Sequence, residues 1–178
     1  MRKAVSLVAA VSVLTACSTA AIDNVEYEAS SGAYTVWQEG AREEPVEATG
    51  TTFDGEEVDL ADYRGQVVLI NTWYAACPPC RAEATDLAAI HEDYPDVVML
   101  GVNTRDGESV AASFERSFEI DYPSIEGRDG KFIAGLEGSV PLQAVPTTLI
   151  LDVEGRPAAR YIGRIDPDIL RGILDDIS

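Results

Sequence analysis

Cys77 and Cys80, with Pro78-Pro79 between them, are the residues of this 178-residue chain best placed to do chemistry. Two thiols at that spacing can close a small disulfide ring or bind a metal. A structural zinc site takes four ligands. The other candidate donors are Cys17, far upstream, and His91, the one histidine. Neither a metal nor another cofactor is therefore expected. A purely structural disulfide is the simpler alternative, and the flanking sequence argues against it. Val67-Val68-Leu69-Ile70-Asn71-Thr72-Trp73, just before the pair, is an apolar run suited to a strand covered on both faces. After it, Cys80, Ala84, Leu87, Ile90 and Tyr94 recur at helical spacing on one face. Two prolines are tolerated in a helix only in its first turn, where N–H groups have no partner anyway. The helix must begin inside the motif.

That position has a chemical consequence. A helix N-terminus carries free N–H donors and partial positive charge. Both favour a thiolate on Cys77, the residue expected at the exposed edge, and lower its pKa below the free value. The Cys77 thiolate can attack a partner disulfide to form a mixed disulfide, and Cys80 then attacks Cys77 and releases the reduced partner. Run backwards, the same steps oxidise a dithiol.

The elements that hold this pair follow from periodicity and turn residues. Val97-Val98-Met99-Leu100-Gly101-Val102 is a second buried strand, so strand, helix and strand form a right-handed βαβ unit with a parallel pair. Val110, Phe114 and Phe118 mark a helix over about Glu108 to Glu119. Residues 121–145 are turn-rich and give no clear pattern. Thr147-Thr148-Leu149-Ile150-Leu151-Asp152 and Ala158-Ala159-Arg160-Tyr161-Ile162 are two strands joined through Glu154-Gly155. Asp166-Pro167 opens a last helix as N-cap and first residue. Asp54-Gly55 suits a hairpin turn near the start of the domain. The predicted class is α/β, with a central mixed sheet flanked by helices and an N-terminal β-hairpin extension.

The N-terminus reads differently. Arg2-Lys3 and the apolar stretch Ala4 to Ala16 have the form of a secretory signal peptide, too short for a membrane span. Leu14-Thr15-Ala16-Cys17 resembles a bacterial lipobox, in which the cysteine sulfur takes the lipid. The expected organisation is a lipoprotein signal over 1–16, an acidic tether over 17–45 with a short strand near Tyr34-Thr35-Val36-Trp37, and one domain over 46–178. Cys17 is then an anchor that holds the protein on the outer face of the bacterial cell membrane, outside the redox count. Without residues 1–16 the chain has 11 basic against 31 acidic residues, a net −20. Such a surface excludes nucleic acid as a partner.

Strand–Trp73-x-x-x-Cys77-x-x-Cys80–helix, followed by Val145-Pro146-Thr147-Thr148 before a strand, resembles the thioredoxin superfamily. The run Asp59 to Trp73 and Cys-Pro-Pro-Cys-Arg-Ala-Glu are similar to the TlpA/ResA-like family of membrane-anchored thiol–disulfide oxidoreductases. The resemblance covers about residues 46–178. It implies Cys77 as nucleophile, Cys80 as resolving thiol and Pro146, after Val145, as a cis proline facing them. Glu83 matches an acid of the family associated with proton transfer. The residue corresponding to the buried Asp of many thioredoxins is Asn71, which carries no titratable proton. Trp73, Pro78, Pro79, Val145 and Pro146 are the expected surroundings of a bound client. Two departures stand out. The family often has Trp directly before the first cysteine, where this chain has Ala76, so the sulfur is expected to be uncovered. Tyr74 stands where a small residue is usual.

The resemblance implies a reductase of selected extracytoplasmic protein disulfides, such as apocytochrome c, supplied by a membrane thiol donor. A disulfide-forming oxidase would use the same fold. A peroxidase fits poorly, because no further free cysteine is present. A non-catalytic lipoprotein binding module is the remaining alternative.

Overall fold

The computed structural model describes residues 24–29, 32–141 and 143–177. At its centre is β5 (Val68–Trp73), buried at every position. A strand without a solvent face belongs inside a sheet covered on both sides. β5 runs parallel to β6 (Val98–Asn103) and antiparallel to β8 (Thr147–Leu151). Helix α1 (Pro78–Asp93) makes the crossover from β5 to β6. Helix α2 (Glu108–Phe118) leads to β7 (Ser124–Glu126), parallel to β6. β9 (Pro157–Gly163) returns antiparallel to β8 after a turn in which Gly155 takes φ 79°. Helix α4 (Pro167–Ile177) closes the chain, with Asp166 Oδ1 accepting from the N–H groups of Asp168 and Ile169. A two-stranded hairpin of β3 (Thr49–Thr51) and β4 (Glu57–Asp59) forms its own ladder, turns at Gly55, φ 85°, and touches β7 through the Thr52↔Ile125 bridge.

Alternation along β5 sorts the core into two layers. Val68 and Ile70 pack with Leu60, Val58, Phe132 and Leu136 on one face. Leu69 packs with Leu87 and Ile90 of α1 and Leu170 and Leu174 of α4 on the other. Asn71 and Trp73 share the α1 face, which is what brings them to the cysteines. Among the described residues no helix is long and apolar enough to cross a membrane.

Three features differ from the sequence expectations. The short strand expected near Tyr34-Thr35-Val36-Trp37 is present, but it and a further strand join residues that composition marks as tether to the sheet. β1 (Asn24–Ala29) and β2 (Gly32–Trp37) extend it to seven strands in the order β1-β2-β9-β8-β5-β6-β7. β2 pairs with β9 from Gly32↔Gly163 to Val36↔Ala159. Tyr34 stacks on Tyr161 with ring centroids 5.6 Å apart, and the Arg160 guanidinium lies over Trp37. An edge strand takes much of its stability from backbone pairing, to which average composition is blind. Second, the unpatterned stretch 121–145 holds β7 and a short helix α3 (Lys131–Gly135), each too brief to show a period. Third, Val110 does not belong to the buried face of α2: it is 48% exposed, and Ala111 and Phe114 are the residues that pack inward. The expected signal segment and Cys17 lie outside the described residues.

Candidate active site

β5 ends at Trp73, and three residues later Cys77 is the N-cap of α1, with Pro78 and Pro79 in the first turn. Pro78 is exposed and Pro79 half-buried. The Cys80 N–H donates to Cys77 Sγ at 3.2 Å, and the Arg81 N–H donates to the Cys77 carbonyl at 3.1 Å. The sulfur thus occupies the place of a capping oxygen. Cys77 and Cys80 form a disulfide with their Cα atoms 5.3 Å apart.

From the opposite side comes the segment before β8. The Val145–Pro146 peptide is cis, and the Val145 carbonyl oxygen lies 4.0 Å from Cys77 Sγ. This segment is pinned from three directions. Thr147 N–H donates to Thr72 Oγ1 at 2.9 Å, Thr147 Oγ1 donates to the Ala144 carbonyl at 2.7 Å, and the Gly163 N–H donates to the Pro146 carbonyl at 2.9 Å. Pro146 itself is buried and Val145 half-buried.

The expectation that Ala76 leaves the sulfur uncovered is overturned. Cys77 is only 1% exposed although Ala76 is exposed. Cys77 and Cys80 sit in an apolar cluster with Trp73, Ala84, Ala111 and Phe114, rimmed by Phe53, Tyr74, Ala75 and Val145. The side chains of this cluster arrive from five separate segments, around Phe53, Trp73, Ala84, Phe114 and Val145, so the identity of the residue next to the cysteine does not decide exposure. Trp73 is buried and stacked on Phe114, with centroids 4.5 Å apart.

Glu83, one turn after Cys80 on α1, is fully buried. Its Oε1 accepts from Asn71 Nδ2 at 3.1 Å and its Oε2 from the Ile165 N–H at 2.8 Å. Asn71 Nδ2 also donates to Thr148 Oγ1 at 3.1 Å. Burial pushes the Glu83 carboxyl up to about 7, against the opposing pull of the Ile165 and Asn71 donors and the Arg164 charge. Half of it therefore carries a proton near neutral pH, the condition for giving and taking protons there. His91 is half-buried, with Nε2 3.6 Å from the Asp121 carboxylate and its ring edge-on to Tyr122. Among the described residues no group of three or more His, Cys, Asp or Glu is arranged to hold a metal ion.

Sequence reasoning missed the supports of residues 74–76. Asp106 Oδ2 accepts from the Ala75 N–H at 2.6 Å and from Asn103 Nδ2 at 3.0 Å. Asn103 Oδ1 accepts from the N–H groups of Arg105 and Asp106, the turn that an Asn at a strand end commonly makes. Arg105 lies over the Tyr74 ring at 4.0 Å, and Arg81 Nη1 donates to the Ala75 carbonyl at 3.3 Å. The spacing Asn103-x-x-Asp106 announces a turn, but nothing local says what the turn faces.

Comparison with known proteins agrees with this geometry. The AhpC/TSA family model matches residues 42–158. The chain is 29% identical over 132 residues to the thiol:disulfide interchange protein HelX of Rhodobacter capsulatus, covering 74% of this chain and 71% of that protein. It is 23% identical over 130 residues to the thiol-disulfide oxidoreductase ResA of Bacillus cereus, covering 72% and 73%. Among solved structures it is similar to a secreted thiol-disulfide isomerase from Corynebacterium glutamicum, at 32% identity and TM-score 0.73, over 79% of this chain and 88% of that one. A DsbF homologue from Corynebacterium diphtheriae aligns at 30% identity and TM-score 0.69, over 89% and 96%. The chain belongs to the AhpC/TSA family, and within that thioredoxin-like family it is a thiol–disulfide oxidoreductase built around the Cys77–Cys80 disulfide.

Proposed function

We propose that this chain is a lipid-anchored, extracytoplasmic reductase of selected protein disulfides, with Cys77 attacking, Cys80 resolving and Glu83 carrying the proton. The observation that carries this reading is the placing of Cys77 Sγ at the N-cap of α1, where it accepts the Cys80 N–H and faces the Val145–Pro146 segment. A thiolate there attacks one sulfur of a client disulfide and expels the other as a thiol. Cys80, losing its proton toward Glu83, displaces the client from Cys77. The client gains two electrons and two protons, and the pair ends as a disulfide. The backbone of Val145 and Pro146 offers an extended client segment a place to lie beside Cys77, with Trp73, Pro78 and Pro79 as the nearby walls. The resemblance to the TlpA/ResA-like family supports the reducing direction, with apocytochrome c as client and a membrane thiol as donor. The lipobox-like residues before Cys17 support anchoring.

The test is a trap. Full-length Cys80→Ser, expressed in the native membrane, is expected to accumulate a mixed disulfide on Cys77 that Cys77→Ser abolishes. An apocytochrome in the adduct supports the assigned client. A broad set of secreted proteins, with a reduction potential near about −120 mV rather than about −270 mV, establishes the oxidase instead. No adduct overturns the mechanism. Cys17→Ala should release the protein from the membrane fraction, and retention there overturns the anchor.

A further inference from the structure

The chain has 31 acidic and 13 basic residues, and Arg42, Arg128, Arg156, Arg164 and Arg171 each pair with a carboxylate. Near the active-site end Arg164 is paired with Asp86 and Arg128 with Glu126. Arg81 and Arg105 differ. Both are exposed, and neither has a carboxylate within ion-pair distance among the described residues. Their guanidinium groups rest on rings: Arg105 over Tyr74 at 4.0 Å, Arg81 over Phe118 at 5.1 Å and Phe114 at 5.8 Å. They approach the 74–76 connection from two sides, Arg81 from α1 and Arg105 from the loop after β6. The nearest acid in sequence, Asp106, spends its Oδ2 on the Ala75 N–H and on Asn103, not on Arg105.

A guanidinium stacked on a ring points its in-plane N–H groups outward, and that fork matches a carboxylate. Arg81 commits Nη1 to the Ala75 carbonyl at 3.3 Å and keeps its remaining donors for a client. An extended client advances about 3.3 Å per residue. Carboxylates one to three positions from its reacting cysteine then come within reach of the two forks. The acidic remainder of the molecule is screened beyond about 8 Å at physiological salt.

We propose that Arg81 and Arg105 select clients whose reacting cysteine is flanked by Asp or Glu. This rests on the exchange chemistry assigned to Cys77, and it names the chemical class of its client. An exposed charge pair contributes about 0.2–1 kcal/mol, so two such pairs give a preference of about five-fold.

The experiment uses the folded dithiol protein and three peptide disulfides of identical core, with Glu, Gln or Lys flanking the cysteine. Because removing a cation slows a thiolate with every client, the measure is the ratio of rates between peptides. The Glu peptide is expected to react about five times faster than the Lys peptide at physiological salt. The ratio should fall toward one in Arg81→Gln/Arg105→Gln, and also in 0.5 M salt. A ratio of one in the unaltered protein, a Lys preference, or a Glu preference that survives in the double variant overturns the proposal. If even the Gln peptide fails to react, the exchange reading itself fails and takes this one with it.

Discussion

Two buried carboxylates, one on α1 and one at the end of β8, meet opposite fates. Asp152 is 2% exposed, and Arg42 and Arg156 reach its Oδ2 at 3.0 and 3.1 Å. Its Oδ1 accepts the Arg156 N–H at 2.8 Å. Two cations balance the charge, and the site ties residue 42, just beyond β2, to the β8–β9 turn. Glu83 is as deeply buried but meets neutral donors, the Asn71 amide and the Ile165 N–H. Its ionised form is poorly balanced, and its pKa rises to about 7. Burial alone does not make a carboxylate useful for proton transfer. Burial without a full counter-charge does, and the same burial with two arginines makes a clamp.

The comparison can be broken at either site. The largest effect is expected at the clamp. Asp152→Leu leaves Arg42 without a counter-ion and Arg156 with Glu154 alone, and should destabilise the domain by about 3–5 kcal/mol in urea unfolding. Exchange by the molecules that remain folded should be unchanged. Loss of exchange without loss of stability would mean that Asp152 belongs to the chemistry and the contrast is false.

At Glu83 the sign is opposite. Its folded pKa lies above the unfolded value of 4.5. Stability from this group is fully present below pH 4.5 and is lost as pH rises through 7, by roughly 3 kcal/mol. Glu83→Gln should remove that slope between pH 5 and 8, and with it the transition near pH 7 in the exchange rate. A variant that keeps both transitions would show that another group titrates.

The smallest effect sharpens the contrast. Asn71→Leu withdraws one donor from the ionised Glu83, so the midpoint of the rate profile should move up by about one pH unit. A midpoint that stays in place, in a variant as stable as the parent, would show that the amide does not tune the acid.

Much of this was legible in advance because it is local. The apolar run into Trp73, the prolines that allow a helix to begin at Cys77, and the Asp166-Pro167 start of α4 are decided by neighbours in sequence. The supports of the 74–76 connection were not legible, since Asp106 and Arg105 lie some thirty residues away. Nor was the shielding of Cys77, which lies in one cluster with Ala111 and Phe114 and has the Val145 carbonyl 4.0 Å from its sulfur.

The sequence by itself determined where the candidate groups stand: two thiols at a helix start and one acid a turn later, placements that follow from backbone periodicity. The tertiary structure decided their state. It set Cys77 beneath an apolar rim, gave Glu83 the Asn71 amide and no ion-pair partner among the described residues, and left Arg81 and Arg105 on rings beside the disulfide. Desolvation and charge balance are sums over everything within a few ångströms, and in a folded chain those neighbours are mostly far away in sequence.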